Sequence, residues 1–178
     1  MIAEGRSKQR PYSEGKGADR EIGDPRRSVL LKPNPANRCF GCGGANERGM
    51  QLTFEQDDAT RRIRGVFNIG PEYQGGPGFV HGGIIATLLD EVMSKVSRFE
   101  KDYAVTGELA VEYIKPVRVN EPLTVEGWEV GRDGRLRMRQ GEIRNAAAEL
   151  LARGSGKFVE VDPARFRRGA GEEIGHIK

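Results

Sequence analysis

The chain has 178 residues, a formal net charge of +3, and 37% hydrophobic and 31% charged residues. This length favours one globular domain, and no apolar run reaches the roughly 20 residues of a membrane-spanning helix. The polar first 17 residues predict no secretory signal peptide. Two cysteines cannot form a disulfide framework. We therefore expect a cytoplasmic protein with no membrane association.

The positive charge lies at the two ends of the chain. Residues 1–32 have a net charge of +3 and residues 164–178 one of +2, which leaves −2 for residues 33–163. A nucleic-acid-binding protein more often has a basic stripe on its folded body. We therefore expect no nucleic-acid partner.

The composition of these ends also predicts the domain boundaries. They are polar and rich in charged residues and glycine, which predicts a flexible basic tail with a lead-in over residues 1–36 and a second tail over residues 162–178. Residues 37–161 then form one domain, which is long enough to bury a single hydrophobic core.

The predicted elements of this domain are two strands, one long helix and four further strands. Residues 82–100 predict the helix, because their apolar residues recur at helical spacing over more than half of the circumference. Such a helix needs cover from a curved sheet or from a second subunit. Short turns make neighbouring strands antiparallel. The predicted strands are 50–56, 61–69, 104–114, 123–130, 135–144 with a β-bulge at Gly141, and 150–161.

A glycine-rich segment directly before the helix is the first candidate site. Five glycines lie within residues 75–83. Glycine lets a ligand approach the backbone closely, and a helix start offers unpaired N–H groups and the positive end of the dipole. The segment could therefore hold an anion or polarise a carbonyl oxygen. A turn that merely leads into the helix explains the glycines equally well.

Asp90 and His81 are the candidate reactive side chains near this segment. Asp90 follows Gly83 by two helical turns, about 10.5 Å along the axis, and is too far away to cap the helix start. A carboxylate in an apolar helix is costly unless it is solvated or used, and a solvent-facing position beside Glu91 is the alternative. For His81 the alternative is a structural hydrogen bond.

Cys39 and Cys42 form a C-x-x-C pair among glycines. A structural zinc site needs four ligands, which two chains would have to supply. A redox C-x-x-C usually opens a helix in a βαβ unit, and the surrounding glycines argue against a helix. We interpret the pair as part of a lead-in loop and expect no metal. The sequence also has no P-loop and no G-x-S-x-G elbow.

Three segments resemble hotdog-fold acyl-CoA thioesterases of the phenylacetic-acid type or 4-hydroxybenzoyl-CoA type. They are CFGCGGANERGMQL (39–52), GPGFVHGGIIATLLDEVM (76–93) and ELAVEYIKPVRVNEPLTVEG (108–127). The resemblance covers about residues 37–161. It implies an α+β hotdog fold, in which a curved antiparallel sheet of about six strands wraps one long central helix. That architecture agrees with the element order obtained from the periodicity.

The resemblance also implies catalytic roles. The Gly83 N–H would polarise the thioester carbonyl, Asp90 would be the general base or nucleophile, and Thr106 would orient the attacking water. In such dimers the active site lies at the subunit interface, so Asp90 would act on a thioester held by Gly83 of the other subunit.

Five further residues are candidates for substrate binding. The resemblance implies contacts of the pre-helix segment with the carbonyl, the water or the substrate, and two cations near a strand end are candidates for CoA phosphates. These residues are Gln74, His81, Gly82, Lys115 and Arg118.

The expected activity is hydrolysis of an acyl-CoA thioester to an acid and CoA. No cofactor is expected, because CoA is part of the substrate, and the expected assembly is a homodimer or a homotetramer. Other proteins share this fold. The alternatives are a non-catalytic acyl-CoA-binding regulator and a hotdog dehydratase or hydratase.

Overall fold

The computed structural model describes residues 28–164. One long helix packs against a seven-stranded antiparallel sheet, and short 3-10 segments lie at Pro71–Tyr73 and Val96–Phe99. The main elements are β1 (Ser28–Leu31), β2 (Phe54–Asp57), β3 (Arg62–Asn68), α1 (Gly82–Lys95), β4 (Ala104–Tyr113), β5 (Pro122–Asp133), β6 (Leu136–Asn145) and β7 (Leu150–Glu160). The strand order in the sheet is β1-β2-β3-β5-β6-β7-β4. This arrangement confirms the predicted hotdog architecture.

The strand count is seven rather than six because of β1. Its four residues pair with β2, from Ser28 opposite Asp57 to Leu31 opposite Phe54, and Leu31 is buried. The prediction of a flexible tail is therefore wrong for these residues. Most of the two predicted tails, residues 1–27 and 165–178, lies outside the described residues.

The buried face of α1 is the one that its periodicity predicts. The buried apolar side chains at this helix and in the turn that follows are Ile85, Leu88, Leu89, Val92, Met93 and Val96. The flanking Ile84 and Ala86 are only half-buried. The sheet thus covers most of the wide apolar arc. Within residues 28–164 no helix combines the length and the apolarity needed to cross a membrane.

A row of three glycines lies under α1. Gly127 pairs with Gly141, which pairs in turn with Gly154 on the next strand. A Cβ at Gly127 would lie 2.9 Å from the Val92 carbonyl oxygen, and one at Gly141 or Gly154 would lie 3.3 Å from the Leu89 side chain. The helix can approach these strands so closely because the three positions carry no side chain.

The glycine row corrects the prediction of a β-bulge at Gly141. The pairing of Gly141 is regular on both sides. The register instead shifts between Thr106 and Glu108 and between Glu129 and Gly131, and between residues 143 and 144. Gly141 is a glycine because the helix packs closely against it. In the sequence, a strand glycine needed for helix packing looks the same as one that marks a bulge.

A buried arginine fastens the end of α1 to the sheet. Arg139 of β6 is 1% exposed. Its Nη1 donates to the Met93 carbonyl oxygen at 3.1 Å and its Nη2 to Ser97 Oγ at 2.9 Å. Asp102 lies 3.7 Å from the same guanidinium. Arg139 therefore satisfies a carbonyl near the helix C-terminus.

Gly127→Ala is expected to destabilise the domain by about 1–3 kcal/mol, because the new methyl group overlaps the helix backbone. The measurement is urea denaturation followed by circular dichroism. Gly76→Ala is the matched control, since nothing lies within 4 Å of a Cβ there. Equal unfolding free energies for the two variants would contradict the close contact.

Candidate active site

The start of α1 is capped by His81. The imidazole Nδ1 accepts a hydrogen bond from the Gly83 N–H at 2.9 Å, and the His81 side chain is exposed. His81 therefore makes a structural hydrogen bond, which was the alternative to a reactive role for this residue. The N–H predicted to polarise a substrate carbonyl already has an acceptor in this structure.

Backbone contacts order the glycine-rich segment before the helix. The Gln74 Oε1 accepts from the Gly78 N–H at 3.3 Å, and the His81 N–H donates to the Tyr73 carbonyl oxygen at 2.9 Å. Gly78 has φ of +80°, a conformation that favours glycine. The predicted substrate contact Gln74 therefore holds the loop itself in this structure.

Asp90 and Thr106 are brought together, as the implied site requires. Thr106 Oγ1 on β4 donates to Asp90 Oδ1 on α1 at 2.7 Å. Burial raises the pKa of the Asp90 carboxyl, the Thr106 hydrogen bond lowers it, and the neighbouring Glu91 charge raises it, with a net shift upward. The pair is a half-buried carboxylate held in one orientation by a hydroxyl group.

A cavity of about 360 Å³ lies beside the helix start. Its lining is mainly apolar and comes from the pre-helix segment, the first turns of α1 and the chain after β4. The lining residues are Phe79, Val80, Gly82, Ile85, Tyr113, Ile114, Lys115, Pro116 and Val117. Two predicted site residues, Gly82 and Lys115, are among them.

Tyr113 is a lining residue to which the sequence analysis assigned no role. Its hydroxyl donates to the Gly82 carbonyl oxygen at 3.0 Å, and 54% of the residue is exposed. It thereby ties the end of β4 to the first turn of α1. In the sequence, only its position at the end of an alternating strand could have pointed to Tyr113. Its contact with the helix start depends on the tertiary fold and could not be predicted.

The two predicted phosphate-binding cations lie near this cavity. Lys115 pairs with Glu149. The Arg118 guanidinium lies 5.5 Å from the centre of the Phe79 ring and 3.9 Å from Glu121. Both side chains are at least half exposed, so both remain accessible to an anion.

The predicted site residues thus form two groups on one chain. Gln74, His81, Gly82, Gly83, Lys115 and Arg118 surround the helix start. The pair of Asp90 and Thr106 lies two helical turns further along, about 10.5 Å by helix geometry. A single chain does not bring Gly83 and Asp90 together around one carbonyl group.

The alternative placed Asp90 on a solvent face beside Glu91, but Asp90 is half-buried and Glu91 is buried. Glu91 is 9% exposed and accepts a hydrogen bond from Cys39 Sγ at 3.2 Å. The Lys95 ammonium group donates to Cys42 Sγ at 2.7 Å. Burial raises the pKa of the Cys42 thiol to about 12, although Lys95 lowers it. Such a thiol is a poor nucleophile.

Comparisons with known proteins agree with this architecture. The family model described as "Thioesterase superfamily" matches residues 77–152. A solved structure described as a thioesterase superfamily protein is 31% identical, covers 68% of this chain and 60% of that chain, and has a TM-score of 0.64. The fold and these matches make the hotdog-fold thioesterases the class of protein that this domain resembles.

Two further relatives extend the comparison. "Acyl-coenzyme A thioesterase THEM4" of Rattus norvegicus is 28% identical over 116 residues, which are 65% of this chain and 50% of that protein. The chain thus spans about half the length of this curated relative. A hypothetical thioesterase protein from Streptococcus pneumoniae TIGR4, solved with coenzyme A, shares the fold. It is 18% identical, covers 56% of this chain and 81% of that chain, and has a TM-score of 0.54.

The same Streptococcus pneumoniae protein has also been solved as two single-residue variants. One carries alanine in place of a threonine and the other in place of an aspartate, at positions whose numbers differ by 16. Together with the family match, the comparisons show that the described domain has the hotdog fold and is similar to the thioesterase superfamily over residues 77–152.

His81→Ala is expected to lower the free energy of unfolding by about 0.5–2 kcal/mol, because the helix loses its N-cap acceptor. His81→Asn is the matched control, since asparagine is a good N-cap residue and should restore most of the loss. Chemical denaturation of both variants measures the difference. An alanine variant as stable as the wild type would show that the cap contributes nothing.

Proposed function

We propose that this protein hydrolyses an acyl-CoA thioester to a free acid and CoA. The observation that carries the proposal is the hydrogen-bonded pair of Asp90 and Thr106, which holds a half-buried carboxylate on the central helix of a hotdog domain. The similarity to acyl-coenzyme A thioesterases supports the substrate class. No cofactor is required, because CoA belongs to the substrate.

Asp90 is the general base or the nucleophile. A carboxyl group with a raised pKa accepts a proton more readily near neutral pH, and burial provides that shift here. Thr106 holds Oδ1, so Oδ2 either takes the proton of an attacking water or attacks the carbonyl carbon. The lone pairs of the Thr106 hydroxyl can accept a hydrogen bond from that water.

The Gly83 N–H polarises the thioester carbonyl. Because this N–H donates to His81 Nδ1 in the present structure, the carbonyl oxygen would replace the imidazole as acceptor. The His81 ring is exposed and has room to turn toward solvent. The helix dipole adds positive potential where negative charge develops on the oxygen.

The cavity beside the helix start accommodates an apolar part of the substrate. Its walls include Phe79 and Ile85, and Gly82 and Tyr113 place it next to the first turn of α1. Lys115 and Arg118 would contact CoA phosphates, for which charged donors form strong hydrogen bonds. Both cations would exchange a carboxylate partner for a phosphate.

The comparison with the Streptococcus pneumoniae variants supports the proposed pair. Asp90 and Thr106 are 16 positions apart, the same separation as the aspartate and threonine replaced in that protein. The replaced residue types are also the same. This agreement supports assigning both residues to the reaction.

The active unit is a homodimer, either alone or paired into a tetramer. Helix geometry separates Gly83 from Asp90 by about 10.5 Å within a chain, so a second copy would bring them together. Within residues 28–164, β4 lies at one edge of the sheet and pairs only with β7. An unpaired strand edge is a ready site for another strand.

The unpaired thiols of Cys39 and Cys42 support the predicted reducing, cytoplasmic setting.

The function itself is tested by thiol release over a panel of short, medium and aromatic acyl-CoAs. Release from at least one of them supports hydrolysis. Tight binding without release supports a non-catalytic regulator, and a change in acyl-group unsaturation without release supports a dehydratase or hydratase.

Asp90→Asn is expected to lower kcat on the best substrate by about 10²–10⁴, because the carboxylate base or nucleophile is lost. KM should change little, since CoA is bound elsewhere. Steady-state thiol release gives both constants, and circular dichroism checks folding.

Two further variants make the Asp90 comparison specific. Thr106→Ala should lose less activity, because the hydroxyl only positions the carboxylate and the water. Asp58→Asn is the control, since Asp58 is an exposed carboxylate in the turn after β2 and should keep wild-type activity. A folded Asp90→Asn variant that keeps most of its activity would refute the mechanism.

Light scattering coupled to size exclusion should give the mass of two or four chains at micromolar concentration, because one chain separates the two groups of site residues. A sample that is both monomeric and fully active would refute the shared site. An inactive monomer that gains activity with concentration would agree with it.

A further inference from the structure

Cys39, Cys42 and Glu91 form a compact cluster on a different flank of α1 from the Asp90–Thr106 contact. Their two Sγ atoms and a carboxylate oxygen all lie within 4.8 Å of one another. In a tetrahedral zinc site, Zn–S bonds of about 2.3 Å and Zn–O bonds of about 2.0–2.2 Å place ligand atoms roughly 3.5–3.8 Å apart. A small adjustment of these side chains therefore gives a tetrahedral ligand set.

The lead-in loop is built closely around this carboxylate. A Cβ at Gly41 would lie 2.5 Å from Glu91 Cδ, and one at Gly43 would lie 2.4 Å from the Cys39 nitrogen. The Gly43 N–H donates to the Cys39 carbonyl oxygen at 3.0 Å, which closes the turn. The Cys39 N–H donates to Asn37 Oδ1 at 2.8 Å. The turn thus fixes both thiols toward Glu91.

The charge of the cluster suits a divalent cation. Lys95 Nζ lies 2.7 Å from Cys42 Sγ and 3.5 Å from Glu91 Oε2. Two thiolates, one carboxylate and one ammonium group carry a net charge of −2, which a divalent ion neutralises. Lys95 would remain as a hydrogen-bond donor to a coordinated sulfur, a common arrangement around bound metals.

A cavity of about 310 Å³ reaches the cluster. Its lining includes Leu31, Asn34, Asn37, Cys42 and Lys95. It provides a route for an ion and room for water at a fourth position. The sequence offers only two thiols, but the fold adds Glu91 as a third ligand, and water can take the fourth position, as it does in zinc sites with three protein ligands.

We propose that Cys39, Cys42 and Glu91 bind one Zn²⁺ ion, with water as the fourth ligand. Thiolate ligands favour zinc over magnesium or calcium. On binding, the two thiol protons and all but one of the ion's coordinated waters leave to solvent, two Zn–S bonds and one Zn–O bond to Glu91 form, and no electron is transferred. The ion would fasten the lead-in loop to the central helix. This role goes beyond the proposed thioester hydrolysis and does not depend on it.

The test uses the full chain, purified with a phosphine reductant and without a metal-affinity step. Elemental analysis should find about one zinc per chain. After removal of the metal by a chelator, Co²⁺ should give the thiolate-to-cobalt charge-transfer band and the visible bands of a tetrahedral site. Zn²⁺ should then displace the Co²⁺ and abolish these bands.

Variants decide which side chains are ligands. Loss of a hydrogen-bond partner of a metal ligand typically lowers metal affinity by roughly 10–100-fold. Cys42→Ser and Glu91→Gln each change a ligand itself, so each should weaken Co²⁺ binding by more than this. Cys42→Ser should also remove much of the charge-transfer intensity. Glu47→Gln, an exposed carboxylate of the same loop, should bind as the wild type does. Circular dichroism verifies that each variant is folded.

Three results would overturn the proposal. The first is a folded wild-type chain without zinc and without a thiolate-to-cobalt band. The second is a disulfide between Cys39 and Cys42 in the freshly purified protein, found by mass spectrometry, together with no metal uptake after reduction. The third is wild-type Co²⁺ affinity in folded Glu91→Gln. Because none of these readouts uses thioester hydrolysis, they are independent of the proposed activity.

Discussion

The close contact between α1 and the glycine row of Gly127, Gly141 and Gly154 sets the positions of the functional groups that α1 carries. Val92 and Leu89 lie directly on these strands, because no Cβ separates the helix from the sheet. With that face fixed, the rotation of α1 about its own axis is fixed too. The Asp90 carboxylate then meets Thr106 on β4, and Glu91 meets the lead-in loop.

Adjacent helical residues point about 100° apart, so one helix can serve two unrelated chemistries at consecutive positions. Asp90 is half-buried beside a hydroxyl, which suits a base. Glu91 is enclosed by thiols and an ammonium group, which suits the proposed metal ion. The electrostatic coupling between them is visible in the pKa of Asp90, which the Glu91 charge helps to raise. The charge of Glu91 therefore acts on the protonation of the Asp90 carboxyl group.

The helix and the long strands could be predicted from the sequence, since their apolar periods extend over many residues. β1 could not, because four residues are too few for a period and its stability comes from pairing with β2. The Asp90–Thr106 pair was implied by the resemblance. The His81–Gly83 contact depends on the rotamer of the His81 side chain. The burial of Glu91 depends on a loop that lies 49–52 positions earlier in the chain. No local pattern contains that information.

The order of the strands places β1 and β4 at opposite edges of the sheet. β1 forms one edge and β4 the other, with five strands between them. The chain enters the described domain at Ser28, on the edge away from β4. A fluorescent protein or affinity handle joined ahead of Ser28 is thus attached at the edge opposite the strand available for self-pairing. Labels intended to test the proposed self-association belong on β4.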